Sequence, residues 1–227
     1  MQRCFDILFS GIALIILSPL MLPLMFILRV TGEGEVFFLQ SRVGRRGQLF
    51  ELYKFATMLK DSPNMGTGTV TVHNDPRILP LGRFLRSTKI NELPQLINIF
   101  KGDMSVIGPR PQTQRCFDAF PELAQQAIVR VRPGLSGVGS IVFRNEEKMM
   151  HANNDPDKFY DEVLMPYKGS LEVWYVEHKS LLNYFLFIGI TVLTVLVPIN
   201  NLTFKLFPSM PSVPDALKPY ILGQDHE

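Results

Sequence analysis

Two uncharged, apolar stretches flank a polar middle region of this chain. The first runs from Ile7 to Leu28 without a charged residue, and a helix of that length can cross a hydrocarbon core of roughly 30 Å. Pro19 and Pro23 interrupt the stretch. Because proline lacks a backbone N–H and clashes with the preceding turn, we expect a bend near Ser18–Pro19. Two topologies follow, a helix that spans the membrane and one that returns to the same face, and the residues alone favour the first.

Basic residues after this stretch indicate the side of the membrane on which the polar region lies. They are Arg29, Arg42, Arg45, Arg46 and Lys54. An excess of Lys and Arg marks the cytoplasmic side. A cleavable signal peptide is the alternative interpretation, but it needs small residues after the apolar run, and Phe26–Arg29 supplies none.

The second apolar stretch lies between Lys179 and Lys205. It is a second candidate membrane segment, which either spans the bilayer or lies in the interface. Polar residues and a proline within it weaken the prediction of a span. The preceding segment, 160–179, has an amphipathic helical pattern, and its Trp174 and Tyr175 favour a membrane interface, although ordinary packing would also explain them. Two true spans would make the chain a polytopic protein, for example a small transporter subunit, a hypothesis that a topology measurement can test.

The polar middle region has the pattern of a small mixed domain. Two short strands around a glycine-containing turn are predicted at 36–39 and 49–53. A Gly-, Thr-, Asn- and Pro-rich loop is predicted at 62–76. Apolar residues at three- and four-residue spacing predict one helix over 79–100, ended by Lys101–Gly102, and another over 117–129. The fold class is therefore α+β and mostly helical, with a small β element.

Composition supports membrane association and argues against nucleic-acid binding. Hydrophobic residues make up 46% of the chain, and the mean hydropathy is +0.13. The 23 basic and 21 acidic residues nearly balance, which gives no basic footprint for a nucleic acid. Cys4 and Cys116 have no spacing that suggests a disulfide framework or a metal site.

The residues suited to phosphate chemistry are concentrated in the middle region. Arginine forks match phosphate oxygens, so Arg86, Arg110 and Arg132 are candidate clamps for a diphosphate. Glu92 and Asp103 are carboxylates that suit Mg²⁺ or a covalent attack on phosphorus. Each residue taken alone also fits a plainer role, such as a solvated helix face or the cap of a turn.

A set of short motifs follows a definite order along the chain: Arg3–Asp6, Ser18–Pro19, Gln40–Gly44, Lys54–Met58, Asp75–Arg77, Leu85–Arg86, Asn91–Leu96, Lys101–Ser105, Gly108–Pro111 and Val131–Gly134. Through this combination the chain, from about Arg3 to Leu196, resembles the bacterial sugar transferases of the monotopic phosphoglycosyl transferase superfamily. Each motif is weak alone, but chance agreement in order and spacing is very improbable.

The resemblance implies a topology and a location. Its apolar N-terminal helix is re-entrant, broken at Ser18–Pro19, and returns to the cytoplasmic face of the bacterial inner membrane, which replaces the spanning helix favoured above. The implied regions are a re-entrant helix (1–30), a cytoplasmic and interfacial catalytic domain with amphipathic helices (31–180), a hydrophobic interfacial or membrane segment (181–204) and an irregular tail (205–227).

The resemblance also implies a two-step reaction. In this family an aspartate of an Asp-Glu pair attacks the β-phosphate of a UDP-sugar with the help of Mg²⁺, UMP leaves, and polyprenyl (undecaprenyl) phosphate then takes the phosphosugar. The pair corresponds to Asn91 and Glu92, with Glu92 as the Mg²⁺ ligand. Substrate binding is assigned to Lys54, Arg86, Asp103, Arg110 and Arg132. The expected partners are the UDP-sugar, the lipid phosphate and membrane lipids; a homo-oligomer is left open.

Asn91 is the main departure from the family pattern, because a neutral amide is a poor nucleophile and a poor Mg²⁺ ligand. Three explanations are open. The subfamily uses asparagine here, with Glu92 as the nucleophile or with the pair handled differently; the asparagine is a substitution introduced to trap substrate; or catalysis has been lost. The third would make the chain a non-catalytic module that binds a nucleotide-sugar or lipid phosphate. Ala56 is a second departure, at a position where many relatives carry a basic residue.

Overall fold

The computed structural model describes residues 1–65, 75–144, 146–151, 155–197 and 202–223. Within these ranges the chain is mostly helical and has two small sheets, which confirms the predicted fold class. Most of the loop predicted at 62–76 lies outside the described residues. The helices are α1 Gln2–Val30, α2 Pro80–Ser87, α3 Gln95–Lys101, α4 Gln114–Asp118, α5 Glu122–Ile128, α6 Val138–Val142, α7 Glu146–His151, α8 Pro156–Phe159, α9 Met165–Glu177, α10 Leu181–Leu196 and α11 Leu202–Leu206. The strands are β1 Phe37–Val43, β2 Leu49–Phe55, β3 Ser105–Ile107 and β4 Gly134–Ser136.

The chain packs into two compact units, each built from separate segments. We call them the α1 unit, which is Cys4–Ser41 with Glu51–Gly102, and the α9 unit, which is Met1–Arg3, Arg42–Phe50 and Asp103–Glu227. The hairpin of β1 and β2, predicted from the sequence, contributes to both units. The domain boundaries drawn from the sequence remain a prediction.

The long apolar helix α1 continues through both of its prolines. Pro19 has no N–H to donate to the carbonyl of Ile15, four residues earlier. The hydroxyl of Ser18 donates to that carbonyl instead, at 2.8 Å. The Ser-Pro pair therefore compensates for its own lost hydrogen bond, which matters in a bilayer because no water is available there to replace it.

The core of the α1 unit joins the second half of α1 to the elements that follow. Met21, Leu24 and Leu28 of α1 are buried together with Phe55 of β2 and Leu85 of α2. The opposite face of α1 is apolar but exposed; for example, Ile15 is 75% exposed. Among the described residues α1 is the one helix long and apolar enough to cross a membrane, and α10 is a shorter apolar helix.

The single helix predicted over 79–100 is wrong, because the chain breaks in its middle. Helix α2 ends at Ser87, Lys89 takes a left-handed conformation with φ 61°, and Ile90–Glu92 forms a 3₁₀ turn before α3 begins at Gln95. Pro94 lies at the start of α3, where its missing N–H is harmless. The predicted end of the helix is confirmed, since Gly102 has φ 105°.

The helix predicted over 117–129 is also two helices, α4 and α5, with Pro121 capping the second. Helix α5 packs against α9 within the α9 unit. Two short strands, β3 and β4, pair in parallel with Ser105 opposite Gly134 and Ile107 opposite Ser136. This pairing was not predicted.

The prediction that Trp174 and Tyr175 lie at the membrane interface is wrong. Both side chains are buried in the α9 unit. The ring of Trp174 lies 5.3 Å from that of Phe207, which stacks on Phe187 of α10 at 5.0 Å. The alternative of ordinary packing therefore holds. Helix α10 uses one face for this core, and its other face is apolar and exposed, at Leu182, Phe185, Val192 and Leu196 among others.

Candidate active site

Strand β2 carries Lys54, and a single asparagine fixes α3 to this strand. The side-chain oxygen of Asn98 accepts from the N–H of Tyr53 at 2.9 Å, and its amide group donates to the carbonyl of Glu51 at 2.8 Å. The Lys101 ammonium lies 5.3 Å from the centre of the Tyr53 ring. Helix α3, which begins directly after the Asn91–Glu92 pair, is thereby held against the strand of Lys54.

The Asn91–Glu92 pair lies on the turn that separates α2 from α3. The N–H of Lys89 donates to Arg86 at 3.2 Å, and the N–H of Glu92 donates to Lys89 at 3.0 Å. A left-handed conformation costs a non-glycine residue of order 1–3 kcal/mol. The left-handed Lys89 therefore marks a place where the surrounding structure imposes the chain path on the pair.

Apolar neighbours on both sides join this turn to the core of the α1 unit. Ile90 and Leu93 are partly buried against the core cluster to which the second half of α1 contributes. Asn91 and Glu92 lie between them in the sequence. The candidate catalytic turn therefore shares a core with α1, the candidate membrane helix.

The two residues of the pair differ in their surroundings. Asn91 is buried, with 7% of its surface exposed, and its Oδ1 has no hydrogen-bond partner among the described residues. Leaving such an atom unsatisfied costs roughly 1–3 kcal/mol. Glu92 is half-buried. The turn therefore places one buried amide oxygen next to a glutamate that is partly exposed to solvent.

Helix α2 presents Arg86 in its last turn, close to the Lys54–Met58 segment. The Nη1 of Arg86 lies 3.7 Å from the sulfur of Met58. The N–H of Leu79 donates to Thr57 at 3.0 Å, and a side chain at Gly82 would collide with the Thr57 carbonyl. Glycine is thus required where α2 approaches the strand exit, and this approach sets the position of Arg86.

A buried ion pair holds the chain on either side of residues 66–74. The Nε and Nη2 of Arg77 donate to both oxygens of Asp75, at 2.8 and 2.6 Å. The Nη1 donates to the carbonyls of Ser62 and Met65, each at 2.7 Å. The Asp75–Arg77 motif is therefore a structural clamp of the α1 unit.

In the α9 unit, the loops of Arg110 and Arg132 are packed backbone against backbone. The N–H of Gly134 donates to Pro109 at 2.7 Å, and the N–H of Gly108 donates to Ser136 at 2.9 Å. A side chain at Gly134 would collide with the backbone nitrogen of Gly108. The structure thus brings together the loops of two of the three predicted arginine clamps, and both arginines are half-buried.

The Arg110 loop is held on two further sides of the same unit. The Nη1 of Arg42 donates to the Pro111 carbonyl at 3.2 Å, and the N–H of Val43 donates to Gln112 at 2.9 Å. The hydroxyl of Tyr175 donates to Ile107 at 3.2 Å. Such preorganisation suits a group that must bind a fixed array of phosphate oxygens.

A family model for bacterial sugar transferases matches residues 1–198. The chain belongs to this family. Its motifs from Arg3 to Val131–Gly134 all lie within the matched range.

The curated relatives of this sugar transferase differ in how much of their own length the chain matches. The exopolysaccharide production protein ExoY of Rhizobium meliloti is 36% identical over 64% of this chain and 70% of its own length. The UDP-N-acetylgalactosamine-undecaprenyl-phosphate N-acetylgalactosaminephosphotransferase of Aeromonas hydrophila is 39% identical over 62% of this chain and 34% of its own. The undecaprenyl-phosphate galactose phosphotransferase of Salmonella typhimurium is 33% identical over 81% of this chain and 38% of its own.

The predicted site residues of the transferase divide between the units. Lys54, Arg86, Asn91 and Glu92 belong to the α1 unit, and Asp103, Arg110 and Arg132 belong to the α9 unit. Asp103 is half-buried and directly follows the left-handed Gly102. The chemical roles of all seven residues remain predictions.

The oxygen donors of the Asn91–Glu92 turn fit a magnesium ion. The described residues include no cluster of three or more His, Cys, Asp or Glu side chains of the kind that encloses a metal. Magnesium does not need such a cluster, since it typically takes one or two carboxylates and completes its shell with substrate phosphates and water. Glu92 is a carboxylate of this type, and the unsatisfied Oδ1 of Asn91 beside it is a weaker, neutral oxygen ligand.

Sequence reasoning missed Glu172, a glutamate of α9 that is 1% exposed. Burial raises the pKa of its carboxyl to about 7, against the opposing effects of Lys168 and of hydrogen bonds from the backbone N–H groups of Arg110 and Gly139. A signal was present in the sequence: Glu172 lies on the same helical face as Lys168 and Tyr175, four and three residues away, beside apolar Leu171.

Proposed function

We propose that this sugar transferase moves a phosphosugar from a UDP-sugar to polyprenyl phosphate and releases UMP. Support comes from the family and from relatives named for this reaction. The observation that carries the proposal is the Asn91–Glu92 turn, which packs through Ile90 and Leu93 on the core that it shares with α1. A reaction between a water-soluble donor and a lipid phosphate requires a site where both can reach the same groups.

In the proposed first step, Glu92 replaces the usual aspartate as the nucleophile. A carboxylate oxygen of Glu92 forms a bond to the β-phosphorus, and the bond from that phosphorus to the bridging oxygen breaks, so that UMP leaves with the electron pair. In the second step an oxygen of polyprenyl phosphate attacks the same phosphorus, the bond to Glu92 breaks, and the carboxylate is restored. Two easier displacements thus replace one difficult transfer.

Asn91 contributes an oxygen ligand rather than a nucleophile. Its buried Oδ1 and the Glu92 carboxylate would hold a magnesium ion together with the donor's phosphates. Magnesium would supply positive charge against the diphosphate oxygens.

The arginines and Lys54 are assigned to the phosphates and the leaving group. Guanidinium groups bind phosphate oxygens in pairs and remain charged at every relevant pH. Arg110 and Arg132 act from their glycine-packed loops, and Arg86 acts from the end of α2. Asp103 supports the Lys101–Ser105 motif.

The membrane arrangement that we propose has the active site on the cytoplasmic face of the inner membrane. Helix α1 has 29 residues and would be about 43 Å long if straight, so it can enter and leave the bilayer or cross it. Helix α10 has 16 residues and is about 24 Å long, which is short for a hydrocarbon core of roughly 30 Å. We therefore place α10 in the interface, with its exposed apolar face toward the lipid tails.

The reaction is tested by UMP release from the purified full chain. The assay contains Mg²⁺, polyprenyl phosphate and, in separate reactions, the UDP derivatives of glucose, galactose and N-acetylgalactosamine, the sugars named for the relatives. We expect UMP release with at least one donor and its loss on chelation of Mg²⁺. UMP release without Mg²⁺ would contradict the cofactor assignment, and nucleotide-sugar binding without any turnover would support the non-catalytic alternative.

The topology of α1 is tested by labelling one cysteine at each of its ends. The first chain carries Cys116→Ser, so that Cys4, which is exposed, is the one cysteine available for labelling. The second chain carries Thr31→Cys with both native cysteines replaced by serine. Labelling of both positions from the cytoplasmic side alone supports a re-entrant helix, whereas labelling from opposite sides contradicts it and supports a span.

A further inference from the structure

We infer that Glu172 is a positioning residue whose buried carboxylate fixes the main chain of the phosphate-binding loop at Arg110. The inference rests on the proposed role of Arg110 in binding the donor's phosphates. Glu172 itself lies on α9, within the body of the α9 unit.

Glu172 forms its hydrogen bonds with backbone N–H groups. Its carboxylate accepts from the N–H groups of Arg110 and Gly139. A side chain at Gly139 would collide with Oε1 of Glu172, so glycine is needed for this approach. One acid therefore joins two segments, the loop Gly108–Pro111 and the start of α6.

The arrangement is costly, which argues that it serves a purpose beyond packing. Glu172 is 1% exposed, and its Oε2 has no hydrogen-bond partner among the described residues. A buried carboxylate with an unsatisfied oxygen is disfavoured relative to a hydrophobic residue of similar size. A loop that must hold a guanidinium in one orientation gains what an apolar side chain cannot give, a charged acceptor shared by two backbone donors.

The charged side chains near Glu172 affect how much its buried carboxylate costs. Lys168, also buried, lies one helical turn earlier, and its ammonium is 2.7 Å from Glu146 and 5.6 Å from the centre of the Phe143 ring. The other charged side chains on the elements packed against α9 are Glu122 of α5 and Asp161 and Glu162 of the turn Tyr160–Leu164, and all three are exposed. Lys168 is therefore a nearby buried positive charge that favours the ionised form of Glu172, while its ion pair is with Glu146.

Hydrogen exchange tests the inference independently of catalysis. Pro109 and Pro111 have no N–H, so the Arg110 amide can be followed almost alone in its segment. In Glu172→Gln the shared acceptor loses its negative charge, which weakens both hydrogen bonds, and we expect the Arg110 amide to exchange about tenfold faster than in the parent chain, as for the loss of about 1.4 kcal/mol. Glu177→Gln, an exposed residue on the same helix, should leave it unchanged.

A second variant approaches the contact from its other side. Gly139→Ala should displace the carboxylate without changing any charge, and we expect it to speed exchange at Arg110 as Glu172→Gln does. An Arg110 amide that keeps the parent rate in both variants would overturn the inference. So would an equal acceleration of the β2 amides in the α1 unit, since that result describes general loosening.

Kinetics then connect the contact to the proposed reaction. In the UMP-release assay we expect Glu172→Gln to raise the KM for the UDP-sugar about tenfold and to change kcat by less than about threefold, as for a lost ground-state contact. A fall in kcat with an unchanged KM would contradict a positioning role. If the parent chain releases no UMP with any donor, the proposed function fails, while the exchange measurement still decides the role of Glu172.

Discussion

The two units hold their candidate arginines by different physical means. In the α1 unit, Arg86 and the Asn91–Glu92 turn are placed by apolar packing, since Leu85, Ile90 and Leu93 join the core formed with α1. In the α9 unit, Arg110 and Arg132 are placed by backbone contacts between glycine-containing loops and by a buried carboxylate.

This difference predicts which substitutions each unit tolerates. A hydrophobic core accepts substitutions of similar size and shape, because its attraction is not directional. Two backbones in direct contact accept almost no change, since any Cβ enters space that is already filled. We therefore expect the α1 unit to lose function through its polar residues, and the α9 unit to lose its structure through its glycines.

The largest expected effect tests the chemistry assigned to the α1 unit. Glu92→Gln keeps the shape of the side chain but removes the nucleophilic charge, so UMP release should fall by about 10²- to 10⁴-fold with little change in thermal stability. Glu51→Gln, an exposed glutamate on β2, is the matched control. Retained UMP release in Glu92→Gln would exclude Glu92 as the reacting group.

The next effect concerns the glycine contacts of the α9 unit. Gly134→Ala places a Cβ against the backbone nitrogen of Gly108, and we expect a loss of about 3 kcal/mol in the free energy of unfolding. For a chain of this size that corresponds to a fall in Tm of about 10 °C.

Gly189→Ala in α10 is the control for this substitution, because a Cβ there meets nothing within 4 Å. Its Tm should stay the same or rise slightly, since alanine favours a helix more than glycine does. Equal losses in the two variants would show that the glycine contacts are not what holds the Arg110 and Arg132 loops.

A smaller, pH-dependent effect is expected from Glu172. Its pKa in the folded chain is about 7 against an ordinary value of 4.5, so the folded state binds the proton more tightly than the unfolded state. The stability from this group is therefore fully present below pH 4.5 and is lost as the pH rises through 7, by at most about 3 kcal/mol. Glu172→Gln should lose less stability than the parent chain between pH 5.5 and pH 8, as measured by thermal unfolding. A parallel pH dependence in the two chains would contradict the raised pKa.

The smallest effect tests the departure at the candidate nucleophile. Asn91→Asp is nearly isosteric and restores the residue implied by the family pattern, so the rate of UMP release should be preserved or increased. A clear loss of rate would show that the amide has a required role of its own. Either result indicates how the α1 unit divides its chemistry between Asn91 and Glu92.

The order of the motifs along the chain was enough to predict the family and the candidate site residues, because the chemistry of each side chain follows from its residue type. The sequence also predicted three features of the fold: the apolar run of α1, the hairpin of β1 and β2, and the end of α3 at Gly102. The break between α2 and α3 was not identified. The apolar spacing continues across the break, and the left-handed Lys89 that creates it is imposed by tertiary packing.

By itself, the sequence determined which residues are apolar enough to enter a membrane and which could bind phosphates, since both are properties of single side chains and their spacing. Only the tertiary structure decided that Trp174 and Tyr175 are buried, that β3 and β4 pair, and that Glu172 meets the backbone of Arg110. Each of these depends on a contact between residues distant along the chain. Such contacts arise from the packing of many groups at once, which no local pattern encodes.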